Sequence, residues 1–132
     1  MAPPPGTARV LVIDDDREVI EIVREVMAGE PVSVEWAATA AEGIERARND
    51  KPALVLLDIV LDGNEDGWEV LKTLKRDPVT RAIPVVVHSV IDTPQRAREL
   101  GAEVALVKPL SAEGLKELIR RFVGGAGPET RE

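Results

Sequence analysis

The stretch VLVIDDD, residues 10–16, decides the fold, because it sets four apolar residues directly against three aspartates. A continuous run of Val, Leu and Ile is typical of a strand that is buried on both faces, as in a parallel sheet. Two carboxylates roughly 4 Å apart repel each other by roughly 4 kcal/mol at an effective dielectric near 20. The stretch therefore predicts a buried strand whose carboxyl end holds something cationic.

The composition limits the class of protein. The chain has 132 residues, 44% of them hydrophobic and 31% charged, and a net charge of −7. This is the balance of one globular domain, and the acidic surface disfavours nucleic acid or anionic membranes as partners. The chain lacks Cys, which excludes disulfides and thiolate metal sites. With no signal peptide and no apolar run long enough to cross a bilayer, these features favour a cytoplasmic location.

The whole chain alternates strand and helix patterns five times. We predict strands over Arg9–Asp14, Val32–Ala37, Ala53–Asp58, Pro84–Ser89 and Val104–Lys108. All but the second are nearly continuous apolar runs that predict burial on both faces, whereas VSVEW alternates as an edge strand does. Short links between the βα units predict an α/β fold: a flavodoxin-like, doubly wound (βα)5 domain with a five-stranded parallel sheet in the order 2-1-3-4-5.

The ends of the chain and the helix boundaries carry their own signals. Residues 1–8 and 124–132 are rich in Pro, Gly and polar residues and are predicted to be flexible tails around a single domain at 9–123. Four residues are predicted N-caps: Asp16, Thr39, Thr93 and Ser111. Glu42 completes a capping box, Pro94 takes the first position of the fourth helix, and Pro78 ends the third helix near Asp77.

Polar residues stand at the carboxyl ends of four predicted strands, whereas the second strand ends in alanines. They are Asp14, Asp15 and Asp16 at the end of the first strand, Asp58 at the end of the third, Ser89 at the end of the fourth and Lys108 at the end of the fifth. Ligands of doubly wound folds bind outside these strand ends, so we expect one shared site. Carboxylates without imidazole or thiolate favour Mg²⁺, or Mn²⁺, over Zn²⁺. A lysine and a hydroxyl opposite them complete a cradle for a phosphoryl group.

The motifs VLVIDDD, LVLLDIVLDG, PVVVHS and LVKP, in this order, resemble the receiver domain of the response regulators of two-component signal transduction. The resemblance covers residues 9–123. It implies that Asp58 accepts a phosphoryl group from a sensor histidine kinase or a phosphotransfer protein, in a reaction that depends on Mg²⁺. It further implies a signalling domain rather than an enzyme, which passes a conformational change to a downstream protein partner and catalyses only its own phosphotransfer and dephosphorylation.

The same resemblance gives roles to the other residues at the strand ends. The metal-binding set that it implies is Asp14, Asp15, Asp58 and the backbone carbonyl of Val60. Ser89 corresponds to the hydroxyl that turns toward the phosphoryl oxygens, and Lys108 pairs with them. Pro109 is expected to follow a cis peptide bond. No output domain follows in the sequence, so we expect signalling through protein contacts alone.

Three departures from the receiver pattern bear on switching. Val90 stands after Ser89 where the family usually has a small residue, which predicts slower dephosphorylation. Ala105 replaces the usual aromatic residue of the fifth strand, so an inward-swinging ring cannot couple to Ser89. The segment from Ser89 to Lys108 is short for the family, which predicts a stunted fourth helix.

The loop after Asp58 is longer and more acidic than is usual for the family. Asp62 stands where the family has a proline, and Asp62, Asn64 and Asp66 match the opening of a calcium-binding EF-hand loop. That motif needs a bidentate Glu at its twelfth position, which is Thr73 in this chain. An exposed turn is therefore favoured over a calcium site.

Two functions of other classes stay open. One is a pseudo-receiver that binds partners without phosphorylation, which the residues at 90 and 105 would suit. The other is a Mg²⁺-dependent aspartyl phosphatase, because Asp14 and Asp16 have its D-x-D spacing, although a cap domain is lacking. His88 is interpreted as a packed and hydrogen-bonded residue rather than a phosphorelay histidine, and Trp36 and Trp68 as packing residues.

Overall fold

The computed structural model describes residues 7–61, 66–90, 93–108 and 111–123. The strands are β1 Ala8–Ile13, β2 Val32–Ala37, β3 Leu54–Leu57, β4 Val85–Ser89 and β5 Val104–Val107. The helices are α1 Arg17–Val26, α2 Ala40–Asp50, α3 Gly67–Arg76, α4 Pro94–Glu99 and α5 Ala112–Val123. In the described ranges, none of these helices has the length and apolar character needed to cross a membrane.

Some predictions fall outside the described residues. These are the tails at 1–6 and 124–132, the loop positions Asp62 and Asn64, and Pro109 with its peptide bond. Ala8 was assigned to the first tail, but it begins β1, because its N–H donates to the carbonyl of Pro31 at 3.0 Å.

The five strands form one parallel sheet in the order β2-β1-β3-β4-β5, which confirms the predicted doubly wound topology. Ile13 pairs with Leu57, so β1 and β3 are level at their carboxyl ends, whereas β4 continues for two residues past Val87, the partner of Leu57. The next residues along β1 and β3 are Asp14 and Asp58. Register therefore places the two acidic residues side by side.

The helices cover both faces of the sheet, because the side chains of a strand alternate between faces. On one face, Leu11 and Ile13 pack in a cluster with residues of α2, α3 and α4. On the other face, Val10 and Val12 pack with residues of α1 and α5. The core thus consists of two apolar layers, one on each side of the sheet.

The predicted burial of the strands is right for β1, β3 and β4 but wrong for β5. β5 lies at the edge of the sheet, opposite the edge strand β2, and has only β4 as a neighbour. Its residues are half-buried or exposed, and Val107 is 43% exposed. An apolar run alone predicted a central strand, whereas its place in the sheet left one side without a neighbouring strand.

The predicted caps are present, with one exception. Asp16 accepts a hydrogen bond from the N–H of Glu18 at 2.9 Å, and Ser111 and Thr39 cap α5 and α2 in the same way. Thr93 is at the N-cap of α4 ahead of Pro94, but its side chain makes no capping hydrogen bond. α4 has six residues, which confirms that this helix is short.

Candidate functional site

The backbone ladder of the sheet extends one residue past the strands and fixes the site. The N–H of Asp14 donates to the carbonyl of Ala37 at 3.1 Å, and the N–H of Asp58 donates to Ile13 at 2.9 Å. The backbone that carries each carboxylate is therefore held by a hydrogen bond to the neighbouring strand. Asp14 and Asp58 are only 2% and 6% exposed, which is unusual for acidic residues.

Lys108 lies directly between these two buried carboxylates. Its Nζ donates to Oδ2 of Asp14 at 2.8 Å and to Oδ2 of Asp58 at 3.0 Å. The lysine side chain itself is 13% exposed. The sequence predicted that Lys108 would face the acidic residues, but not that one ammonium group would bridge two of them.

The pKa values of Asp14 and Lys108 follow from burial and pairing. Burial raises the pKa of Asp14, and the hydrogen bonds from Lys108 and from the N–H of Asp16 offset only part of that rise. Burial alone would lower the pKa of Lys108, but the hydrogen bonds and charges of Asp14 and Asp58 together raise it. The lysine therefore stays protonated, while ionised Asp14 retains an uncompensated cost that a further cation would remove.

Asp15 completes an acidic cluster with Asp14 and Asp58. One carboxylate oxygen from each of the three lies within 4.8 Å of the others, and Asp15 is exposed whereas the other two are buried. Three oxygen donors at this separation suit a hard cation such as Mg²⁺. The residues that the sequence predicted to gather do so, and their chemistry fits the expected metal.

Val60 and Ser89 lie at the same edge of the sheet. The N–H of Val60 donates to Oδ1 of Asp58 at 3.0 Å, which orients the carboxylate, and the metal-ligating role of the Val60 carbonyl stays a prediction. Ser89 ends β4 and is fully buried, and its carbonyl accepts from the N–H of Lys108 at 2.8 Å. The backbone of β4 therefore helps to place the lysine.

Gly67 is a residue of the site that sequence reasoning missed. The N–H of Gly67 donates to the carbonyl of Ile59 at 2.9 Å. A Cβ on Gly67 would lie 2.5 Å from the carbonyl oxygen of Asp58 and 2.4 Å from Cα of Ile59. Only glycine lets α3 begin this close to the backbone of the acidic residue. The sequence signal that could have revealed this close approach is the pair Asp66-Gly67 at the start of the helix.

Asp66 is a helix cap. Its side chain accepts from the N–H of Trp68 at 2.9 Å at the start of α3, and its backbone forms an antiparallel bridge with Val60. The third residue of the calcium-like motif therefore has a structural role that needs no ion. Asp62 and Asn64 lie outside the described residues, so the preference for a turn over a calcium site stays a prediction.

His88 is buried, as predicted, but the predicted hydrogen bonds of its ring are not found within the described residues. It is 3% exposed, and neither ring nitrogen has a hydrogen-bond partner among the residues that the structure describes. Burial, followed by the charge of Lys108, lowers the pKa of His88 to about 4. The imidazole is therefore neutral at neutral pH, and its burial argues against transfer of a phosphoryl group to it.

The two atypical positions differ in exposure. Val90 is 66% exposed directly after Ser89, so its branched side chain stands in solvent beside the site. Ala105 pairs with Val87 across β4 and β5 and packs against the apolar layer of α2, α3 and α4.

The comparisons with known proteins agree with this architecture. Residues 10–120 match the model of the response regulator receiver domain family. The sporulation initiation phosphotransferase F of Bacillus subtilis is 28% identical over 116 residues, which cover 87% of this chain and 93% of the relative. The response regulator PleD of Caulobacter vibrioides is 34% identical over 107 residues, or 79% of this chain. The match spans only 23% of PleD, less than a quarter of its length.

A solved structure has the same fold over most of its length. It is a CheY-like receiver domain protein from Methanospirillum hungatei, with a TM-score of 0.79 at 25% identity. The superposition covers 89% of this chain and 94% of that protein.

Proposed function

The chain belongs to the response regulator receiver domain family, and from this membership we propose that Asp58 accepts a phosphoryl group from a phosphohistidine. The donor is a sensor histidine kinase or a phosphotransfer protein. The observation that carries the proposal is the position of Asp58, which is buried, 3.0 Å from the ammonium of Lys108 and clustered with Asp14 and Asp15. The similar protein from Bacillus subtilis is named a phosphotransferase, which supports the same chemistry.

In the proposed step, a carboxylate oxygen of Asp58 attacks the phosphorus of the donor. A P–O bond forms, the P–N bond to the donor imidazole breaks, and the imidazole keeps the electron pair and takes a proton from solvent. Lys108 exchanges its contact with Asp58 for one with the phosphoryl oxygens, while it stays anchored on Asp14. Catalysis then consists mainly of positioning and of charge stabilisation in a buried site.

The acidic cluster is proposed to hold Mg²⁺, with Mn²⁺ as a substitute. Asp14, Asp15, Asp58 and the carbonyl of Val60 would be the protein ligands. When bound, the ion neutralises charge on the phosphoryl oxygens. Asp14 takes part as a carboxylate whose ionised form is costly without a cation, as its raised pKa indicates.

Phosphorylation is proposed to act as a switch because it adds nearly two negative charges to a buried site. Ser89 is fully buried at the end of β4 and precedes the exposed Val90. Attraction of the Ser89 hydroxyl to the phosphoryl oxygens would move this segment and the short α4 that follows. A downstream protein partner that prefers the shifted α4–β5–α5 face would carry the signal.

The proposal is tested by incubating the chain with acetyl phosphate, with and without Mg²⁺, and measuring its intact mass. A gain of one phosphoryl group is expected in the wild type and in Asp16→Asn, a neighbouring acidic residue that caps α1. No gain is expected in Asp58→Asn or in EDTA. Loss of the gain in Asp16→Asn but not in Asp58→Asn would overturn the assignment.

The same assay separates the alternatives. A folded wild-type chain that binds Mg²⁺ but gains no mass would favour the pseudo-receiver. Rapid turnover of a phosphomonoester that is lost only in Asp14→Asn would favour the phosphatase.

A further inference from the structure

A cavity of about 280 Å³ lies between α1, α5 and the carboxyl ends of β4 and β5. The apolar part of its lining consists of Val19, Ile22, Val90 and Leu115. None of the clustered carboxylates at 14, 15 and 58 is among the described residues that line it. The carboxylates of the proposed phosphoryl site therefore lie outside the cavity, which borders that site and shares Lys108 with it.

His88 gives this cavity an unsatisfied polar group. The residue is 3% exposed and lines the cavity, and both Nδ1 and Nε2 have no hydrogen-bond partner within the described part of the chain. Buried polar atoms in proteins are nearly always paired, and an unpaired one costs about 1–3 kcal/mol. A neutral imidazole offers one N–H donor and one acceptor nitrogen, so it can receive either kind of polar atom.

The charges around the cavity select the class of ligand. Asp16 and Glu18, both exposed, stand on the wall formed by the start of α1. Lys108 is the cation on the opposite side, but its charge is already paired with Asp14 and Asp58 at 2.8 and 3.0 Å. Among the described residues that line the cavity, the charges without a salt-bridge partner are therefore the negative ones of Asp16 and Glu18. Negative charge at the wall favours a cationic ligand and disfavours an anionic one.

We propose that this cavity binds a small, largely apolar amine. The ammonium group lies beside Asp16 and Glu18, the apolar body packs on Val19, Ile22 and Leu115, and a polar ring atom pairs with His88. This is the composition of ligand sites in general, which are mostly apolar with a few polar groups that fix orientation. The inference does not depend on phosphorylation, because none of these contacts involves Asp58.

The probe for the test is tryptamine, which carries an apolar indole, one N–H group and an ammonium group. Indole-3-propionate is the matched anionic probe. Each is titrated into the full chain in saturating Mg²⁺, which occupies the acidic cluster, and amide and imidazole ¹⁵N shifts are followed by NMR. We expect saturable binding of tryptamine, at least about tenfold tighter than that of indole-3-propionate, with shifts centred on His88, Val19 and Leu115. A tenfold ratio corresponds to about 1.4 kcal/mol of charge discrimination.

Variants locate the site. Glu18→Gln is expected to weaken tryptamine binding several-fold, whereas Glu21→Gln, an exposed residue on the same helix that does not line the cavity, leaves it unchanged. His88→Leu is expected to weaken binding about fivefold, the value of one ordinary hydrogen bond. Absence of saturable binding, equal affinity for the anionic probe, or shifts confined to residues 14, 15 and 58 would overturn the proposal. If His88→Leu does not fold, the Glu18→Gln and Glu21→Gln pair decides alone.

Discussion

The indole Nε1 of Trp36 donates a hydrogen bond to the main-chain carbonyl of Asp14 at 2.6 Å. The main-chain N–H of Asp14 is bound to Ala37, the next residue of the same outer strand, at 3.1 Å. β2 therefore holds both polar backbone groups of a buried acidic residue in the site. The sequence predicted correctly that β2 ends in alanines and adds no acidic residue to the cluster, but it did not reveal this supporting role of Trp36 and Ala37.

Replacing Trp36 by Phe is expected to lower the free energy of unfolding by about 1 kcal/mol, because one hydrogen bond to Asp14 is lost. It should also weaken Mg²⁺ binding a few-fold, since the backbone of Asp14 is less firmly held. Urea unfolding and calorimetric Mg²⁺ titration measure the two effects. Trp68→Phe is the control, because the guanidinium of Arg96 lies 4.6 Å from the centre of the Trp68 ring, whereas the indole that donates to Asp14 is that of Trp36. Equal Mg²⁺ affinities in the two variants would contradict the role of Trp36.

Replacing Lys108 by Met is expected to destabilise the chain in EDTA by roughly 3–5 kcal/mol, because it leaves two buried carboxylates without a cation. Mg²⁺ should recover more stability in this variant than in the wild type. Thermal unfolding with and without Mg²⁺ measures both effects. Lys72→Met removes an exposed pair with Glu69 and should cost less than about 1 kcal/mol. Wild-type stability of Lys108→Met in EDTA would show that the lysine does not balance the acidic residues.

Gly67→Ala is expected to impair phosphorylation of Asp58 and to lower stability. The added Cβ meets backbone atoms of Asp58 and Ile59 at 2.4–2.7 Å, and backbone cannot rotate away. Gly43→Ala is the comparison, because its Cβ meets only the side chain of Ile13, at 2.6–2.9 Å, among its nearest atoms. Acetyl phosphate incorporation should fall further in Gly67→Ala than in Gly43→Ala. The opposite order would show that the close approach at Gly67 does not shape the site.

The stability of the chain is expected to depend on pH through the protonation of His88. Its pKa is lowered from 6.5 to about 4 in the folded chain, so the unfolded chain binds the proton first as the pH falls. Stability is therefore complete above about pH 6.5 and is lost progressively down to about pH 4, by up to about 3 kcal/mol. His88→Leu should be at least as stable at neutral pH and should lose less stability across this window. Parallel curves for the two proteins in urea unfolding would refute this assignment.

Val90→Ala is expected to speed the loss of the phosphoryl group. The exposed branched side chain stands directly after Ser89, where it hinders water or a partner that approaches Asp58. The decay of the phosphorylated chain is followed by intact mass after removal of acetyl phosphate. Val79→Ala, another exposed valine, should decay at the wild-type rate. Equal rates for all three proteins would exclude steric protection by Val90.

Local patterns predicted most of the fold and the membership of the acidic cluster. Continuous apolar runs and capping residues mark strands and helices because these signals act over a few neighbouring residues. Parallel strands bring their carboxyl ends to one edge, so Asp14, Asp58 and Lys108 could be expected to meet. The burial predicted for β5 is too high, because an apolar run does not reveal which strand lies at the edge of the sheet.

The sequence by itself determined the order of elements, the apolar layers and the acidic character of the strand ends. Only the tertiary structure decided that Lys108 bridges two carboxylates, that Trp36 reaches Asp14 from the outer strand and that the His88 ring lines a cavity with no hydrogen-bond partner among the described residues. These relationships depend on register, side-chain reach and desolvation between residues far apart in the chain, and Lys108 and Asp14 are separated by 94 positions. No local periodicity predicts a contact across that separation. The short distances between these side chains and their burial arise only when the sheet forms and the helices pack on it.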